Sequence, residues 1–175
     1  NSFINPDQVN EELAFPLQVF LCSDCGLSQL LHIVSATDIF DDYAYLSSTS
    51  KALCNHYQGM VDSALERFEP TEDSLIIDIG CNDGITLNRY PKDRFRLLGV
   101  EPSSAGIYAQ EAGFGVVKRF FNEETAAVVE KEYGKAAIIT ATNVFAHVDD
   151  IRSFASGIGS LIDDEGVAIF EFPYL

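Results

Sequence analysis

Leu75-Ile-Ile-Asp-Ile-Gly-Cys-Asn-Asp-Gly84 is an apolar run of strand length, interrupted by one acid, that opens into a Gly-x-x-x-Gly turn. A short apolar stretch bounded by glycine and followed by helical patterning reads as a strand buried on both faces. Glycine is wanted where backbone must approach a ligand closely, and the turn is expected to deliver free N–H groups to whatever lies at the strand's carboxyl end. Outward from this stretch the alternation repeats. Strands are predicted at 75–80, 96–101, 115–121, 136–143 and 166–172, with helical patterning at 85–90, 104–112, 123–132 and 151–161. In the last of these Ile151, Phe154, Ile158 and Leu161 recur at helical spacing, and Asp149 or Asp150 stands where a cap belongs. The pattern predicts an α/β fold: a parallel, doubly wound sheet covered by helices, incomplete at about five strands.

The first 74 residues read differently. Phe15-Pro-Leu-Gln-Val-Phe-Leu-Cys22 has strand character and runs into Cys22-Ser-Asp-Cys25, a spacing suited to two metal ligands. A polar, aromatic loop is expected over 41–50. Residues 51–68 form a predicted helix with Leu53, His56, Tyr57, Met60, Ala64 and Phe68 along one side, and Glu69-Pro70-Thr71-Glu72-Asp73 ends it as a linker. The expected division is therefore 1–50, 51–73 and 74–175.

Charge narrows the function. Eleven Lys+Arg against 27 Asp+Glu leave a net charge of −16 over 175 residues, and the basic residues are scattered, which excludes a nucleic-acid binder. With 47% apolar and 22% charged residues the chain is of globular composition. No apolar run approaches the roughly 18 residues of a membrane helix, and Asn1-Ser-Phe-Ile-Asn-Pro6 has no basic or apolar leader, so a cytoplasmic protein without membrane contact is expected. Four cysteines are too few for a disulfide scaffold. Cys54 and His56 point to different faces of their helix, Cys81 belongs to packing of the turn, and His32 has no discernible task. The chain has no initiator Met and stops inside an apolar run, which predicts a partial chain.

Arg96-Leu-Leu-Gly-Val-Glu101 places a carboxylate at a second strand end, 21 residues after Gly80. Alone such a Glu is as readily a solvated turn residue, but with the glycine turn at this spacing it is suited to accept both hydroxyls of a ribose. A nicotinamide site would normally show Gly-x-Gly-x-x-Gly, whose middle glycine clears space for the pyrophosphate. Here Cys81 and Asn82 fill the turn and Asp83 adds negative charge, which opposes a pyrophosphate and suits a sulfonium and an ammonium group. S-adenosylmethionine (SAM) is the expected cofactor.

Asp78-Ile-Gly-Cys-Asn-Asp-Gly84, Gly99-Val-Glu-Pro-Ser-Ser104, Phe120-Phe121, Asn143-Val-Phe-Ala-His-Val148 and Phe170-Glu-Phe-Pro-Tyr-Leu175 resemble successive motifs of the sugar C-methyltransferases that act on nucleotide-linked keto-deoxyhexoses. Upstream, Cys22-Ser-Asp-Cys-Gly-Leu27 and Tyr43-Ala-Tyr-Leu-Ser-Ser-Thr-Ser50 resemble the end of that family's zinc-binding N-terminal domain and the active-site loop after it. The resemblance implies a Rossmann-like class I methyltransferase sheet preceded by a zinc-domain remnant. It implies cofactor contacts from Asp78, Gly80, Asn82 and Gly84, ribose binding by Glu101, an adenine edge against Pro102 and Phe121, and Asn143 beneath the cofactor. It further implies His147 as the active-site histidine and Tyr45, or Tyr43 in its place, as a tyrosine reaching in from the N-terminal part. Cys22 and Cys25 would be two of four zinc ligands, the other pair lying upstream in the family, which also carries a Tyr-Asp-Glu-His segment and a second nucleotide-fold domain downstream. The implied partner is a small nucleotide-sugar substrate; a methyltransferase for another small acceptor and a non-catalytic SAM-binding module are the competing readings.

Overall fold

The computed structural model describes residues 5–7, 14–40, 43 and 45–173. Parts of the expected 41–50 loop and of the Phe170–Leu175 motif lie outside the described residues. Two sheets form. In the first, β1 (Val19–Leu21) pairs antiparallel with β2 (Ser28–Leu30), placing the Cys-x-x-Cys segment at the hairpin's tip, where Gly26 turns with φ +74°. A short α1 (Ala36–Phe40) and a 3₁₀ turn (Ser47–Thr49) lead into α2 (Lys51–Phe68), whose N-terminus is capped by the Ser50 hydroxyl.

The second sheet is parallel and five-stranded. β3 (Leu75–Ile79), β4 (Arg96–Val100), β5 (Gly115–Val117), β6 (Ala136–Thr142) and β7 (Ile162–Glu171) lie in the order β5-β4-β3-β6-β7, with α3 (Gly106–Glu111), α4 (Glu123–Tyr133) and α5 (Ile151–Leu161) in the connections. Strand alternation sorts the core into two faces. Ile76 and Ile138 point toward Val61 and Ala64 of α2 with Tyr90 and Phe95, while Ile77, Ile79 and Ile139 point toward Val129 of α4 and Phe154, Ile158 and Leu161 of α5. The helix expected as a connector therefore covers one face of the sheet. Its buried stripe is Tyr57, Val61 and Ala64, and Phe68 stays largely exposed because the helix ends just there, on Glu69 at φ +43°.

Three boundaries differ from expectation, each for a local reason. The helix predicted at 85–90 is a run of turns ending in a 3₁₀ segment at Leu87–Arg89, since Pro91 cannot extend it. β5 stops at Val117 instead of 121 because its partner turns away at Glu101, leaving Phe121 free to fold in against Phe154 at 5.2 Å between ring centroids. β7 begins four residues early: α5 passes into it without a loop, Ile162 pairs with Ala136, and the ladder resumes only at Val167 opposite Ile138, so the acidic 163–165 stretch is pushed out into solvent. Asp150, not Asp149, caps α5, its carboxylate accepting from the Arg152 and Ser153 N–H groups at 3.0 Å each. No helix among the described residues is long and apolar enough to cross a membrane.

Candidate active site

The strand order reverses direction between β3 and β6, and a cavity of about 650 Å³ opens at the carboxyl ends of these strands. β3 ends in Gly80 at φ +68°, where Val144 Cγ2 already occupies the space a Cβ would need. β4 delivers Glu101, buried at 6% exposure, and β6 delivers Thr142 and then Asn143, left-handed at φ +57° with its N–H donating to the Glu171 carbonyl at 2.6 Å. Gly80, Asn82, Glu101, Pro102, Phe121, Asn143, His147 and Tyr45 all line this one cavity.

Glu101 is held from both sides: Oε2 accepts the Asn82 N–H at 2.8 Å and Oε1 accepts the Ser103 N–H at 2.9 Å. Each oxygen retains a further lone pair for a hydroxyl donor. The glycine turn differs here from expectation. Its N–H groups at 80, 82 and 84 are not free, because they donate to Val100 O, Glu101 and Cys81 O respectively. A turn whose donors are spent inside the protein offers no cradle for a pyrophosphate at these three positions, and the carboxylate they converge on favours a neutral or cationic guest.

Two expected contacts lie off the cavity. Gly84, at φ +80°, packs against Ala109 and Phe114, each 3.2 Å from where its Cβ would stand, so it seats the turn on α3. Asp78 lies beneath the floor at 1% exposure, accepting from the Thr140 hydroxyl at 2.6 Å. Burial pushes its carboxyl up to about 7, against the opposing pull of the Thr140 and Thr86 hydroxyls. Burial likewise pushes the Cys81 thiol well up, and its sulfur fills the space left by the missing side chain of Gly99; this is the packing role expected.

The N-terminal segment supplies the opposite wall. Phe40 of α1 stands between His147, at 5.8 Å between ring centroids, and Tyr43, at 5.6 Å, and Tyr43 meets Tyr45 at 6.3 Å. This aromatic row joins the histidine of the β6 exit to the tyrosine of the N-terminal loop. His147 is exposed on its 3₁₀ turn and Tyr45 is 44% exposed, so both rings are open to a ligand. Tyr57, Thr142 and Phe40 were not foreseen. Tyr57 sits on the buried stripe of α2 and its phenol, raised by burial, faces Thr142 and Asn143. Its helical spacing with Val61 and Ala64 was the available signal. Among the described residues no lysine or arginine lines the cavity; its ionisable groups are Glu101, Asp149, Asp150, His147 and three tyrosines.

A family profile described as "Methyltransferase domain" matches residues 54–174. The chain belongs to this methyltransferase family. A second profile, described as "Putative zinc binding domain", matches residues 1–40. The curated C-methyltransferase NovU of Streptomyces niveus is 29% identical over 171 residues, which is 97% of this chain and 40% of that protein; the chain thus spans well under half its relative's length. Among solved structures, the CurJ carbon methyltransferase superposes with a TM-score of 0.54 at 16% identity, covering 71% of this chain and 35% of that one. Coclaurine N-methyltransferase, bound to N-methylheliamine and S-adenosylhomocysteine (SAH), gives 0.52 at 20% identity over 76% of this chain and 40% of that one. DesVI of Streptomyces venezuelae gives 0.54 at 15% identity, covering 73% and 53%. At such identities these likenesses establish the Rossmann-like fold of the methyltransferase domain.

The methyltransferase domain is preceded by the hairpin that carries Cys22 and Cys25. Backbone N–H groups of Cys25 and Asp24 turn toward the Cys22 sulfur and hold its thiol below the usual range, the environment a thiolate ligand needs. The Cys22 N–H donates to Leu27 O at 2.8 Å and the Gly26 N–H to Cys22 O at 3.0 Å, which fixes the loop. No third Cys, His, Asp or Glu joins the pair among the described residues; His32 instead stacks near Phe15, at 5.3 Å between rings. Two thiolates fit half of a tetrahedral zinc site.

Proposed function

We propose that this methyltransferase binds SAM in the cavity and transfers its methyl group to carbon in a nucleotide-linked keto-deoxy sugar, by way of an enolate. The observation that carries this is the occupancy of one cavity by two sets of residues: Glu101 with Pro102 and Phe121 at one end, His147 and Tyr45 at the other. The name of the NovU relative supports carbon as the methyl acceptor.

When bound, SAM supplies a methyl group on a sulfonium sulfur. Glu101 would accept the ribose hydroxyls on the lone pairs its two backbone bonds leave free, and Phe121 and Pro102 would lie against the adenine. His147 acts as the general base that takes the proton from the carbon beside the ketone. The electron pair of that C–H bond would remain on the sugar as the enolate, whose oxygen the Tyr45 hydroxyl would hold beside the methyl donor. The spent N–H donors of the glycine turn support SAM over a dinucleotide.

Calorimetry on this chain tests the cofactor. SAM should bind and NAD should not, and Glu101→Ala should weaken SAM by about 1.5–3 kcal/mol, the range for lost charge-assisted hydrogen bonds. Heat from NAD alone would reverse the assignment. In a protein extended to its relative's length, His147→Ala should lower turnover by about 100-fold with SAM affinity retained. Full activity of that variant would remove His147 from the mechanism.

A further inference from the structure

The family resemblance implies Asn82 as a cofactor contact, yet its side-chain hydrogen bonds go to the N-terminal segment. Its Oδ1 accepts the Ser47 N–H at 3.1 Å and its Nδ2 donates to Tyr45 O at 2.9 Å. The neighbouring Asp83 does the same: its Oδ2 accepts the Ser48 N–H at 2.9 Å. Three hydrogen bonds, each between a side chain of the glycine turn and a backbone group of Tyr45, Ser47 or Ser48, therefore tie residues 45–48 to the end of β3 across more than 30 residues of chain. Both side chains are buried, at 8% and 6% exposure, where such bonds are shielded from water. Asn82 is left-handed at φ +51°, a conformation Asn tolerates better than most residues, so the turn aims its amide at the segment.

We propose that Asn82 and Asp83 are positioning residues that clamp the tyrosine-bearing segment to the glycine turn, setting Tyr45 over the cavity and coupling the cofactor end of the site to its acceptor end. The proposal deepens the function given above and rests on it only for the role of Tyr45; the clamp itself is geometry. It also accounts for a turn that carries Asn-Asp where a nucleotide-binding turn would carry glycine. Asn82 has both an acceptor and a donor to give the segment, and no apolar or glycine residue has either.

The chain contains no tryptophan, so Tyr45→Trp introduces a single indole that reports on the segment. In that background Asn82→Gly removes the clamp while keeping the left-handed turn. Ser47→Pro removes the opposing N–H from outside the turn, at a first 3₁₀ position preceded by extended Leu46, where proline is accommodated. Each should raise acrylamide quenching of the indole by about twofold or more, the sign of a segment that has come loose. Asp83→Ala should do likewise, and Asp83→Asn, which keeps an oxygen for the Ser48 N–H, should not. Circular dichroism confirms folding; if Asn82→Gly does not fold, Ser47→Pro decides. Unchanged quenching in the folded variants overturns the proposal. Titration of SAM into the unsubstituted chain judges the cofactor reading separately: no binding there sinks that reading and leaves the clamp to stand or fall by the quenching. In the extended protein the Asn82→Gly loss should fall on kcat; a loss confined to the KM for SAM would make Asn82 a cofactor contact and overturn the clamp.

Discussion

Asp78 stands on the central strand β3, on the face of the sheet that α2 covers, and no cation among the described residues offsets its burial, which holds the carboxyl protonated up to about pH 7. In the unfolded chain it ionises near 3.8. Between these values the folded state binds the extra proton, so this group's contribution to stability is complete at low pH and is lost as pH rises through about 7. Denaturant unfolding at several pH values should show wild type losing stability relative to Asp78→Asn as pH rises from 3.8 to about 7, and no further loss above that. A difference between the two proteins that does not change with pH would show Asp78 to be ionised throughout. Glu101, at the next strand end, differs in its partners, each of its oxygens accepting one backbone N–H. Asp78 was legible as part of the motif but not as a buried acid beneath the site, since a sequence does not say on which side of a strand end the cavity opens.

The elements were more legible than their ends. Strand and helix order followed from apolar runs alternating with helical spacing, and the caps Ser50 and Asp150 follow from ordinary hydrogen-bonding chemistry. What escaped was set by partners distant in sequence: β5 ends where β4 turns away, β7 starts where Ala136 offers a ladder position, and β2 exists only because β1 folds back on it. The segment 41–50 was read as a loop, and only tertiary contacts bring its Tyr43, Tyr45 and Ser47, with Ser35 and Phe40 before it, to one wall of the cavity. Asp150→Ala should cost about 1 kcal/mol through loss of the α5 cap. A shift in the urea midpoint with the slope unchanged is the expected readout; a change below a few tenths would show that Phe154, Ile158 and Leu161 hold the helix without it.

At the scale of the whole molecule, two units of different construction meet. The parallel sheet has cores on both faces, whereas the N-terminal hairpin leaves Leu17, Val19, Leu21, Leu27 and Leu31 more than half exposed. Such a hairpin has little apolar burial of its own, the situation in which small folds draw on a metal or on covering chain. With Cys22 and Cys25 as donors, two coordination positions stay open to water or other ligands. Elemental analysis of this chain should find zinc absent or removable by a chelator. One zinc per chain surviving dialysis would mean that further ligands complete the site, from this chain or a second copy.

The absence of lysine and arginine from the cavity wall among the described residues has a consequence for turnover rather than for binding alone. Under the proposed chemistry the cofactor enters with one more positive charge than it leaves with, because sulfonium becomes thioether. A protein of net charge −16, with Glu101, Asp149 and Asp150 facing the cavity, holds the charged form by long-range attraction that the spent form does not feel. On that proposal methyl transfer would weaken the grip on its own by-product, and inhibition by SAH would be eased without any moving part. Ionic strength separates the two: raising salt from 10 mM to 150 mM, which shortens the screening length from about 30 Å to about 8 Å, should weaken SAM binding more than SAH binding. Equal salt sensitivity for both would show that the field of the protein plays no part in release.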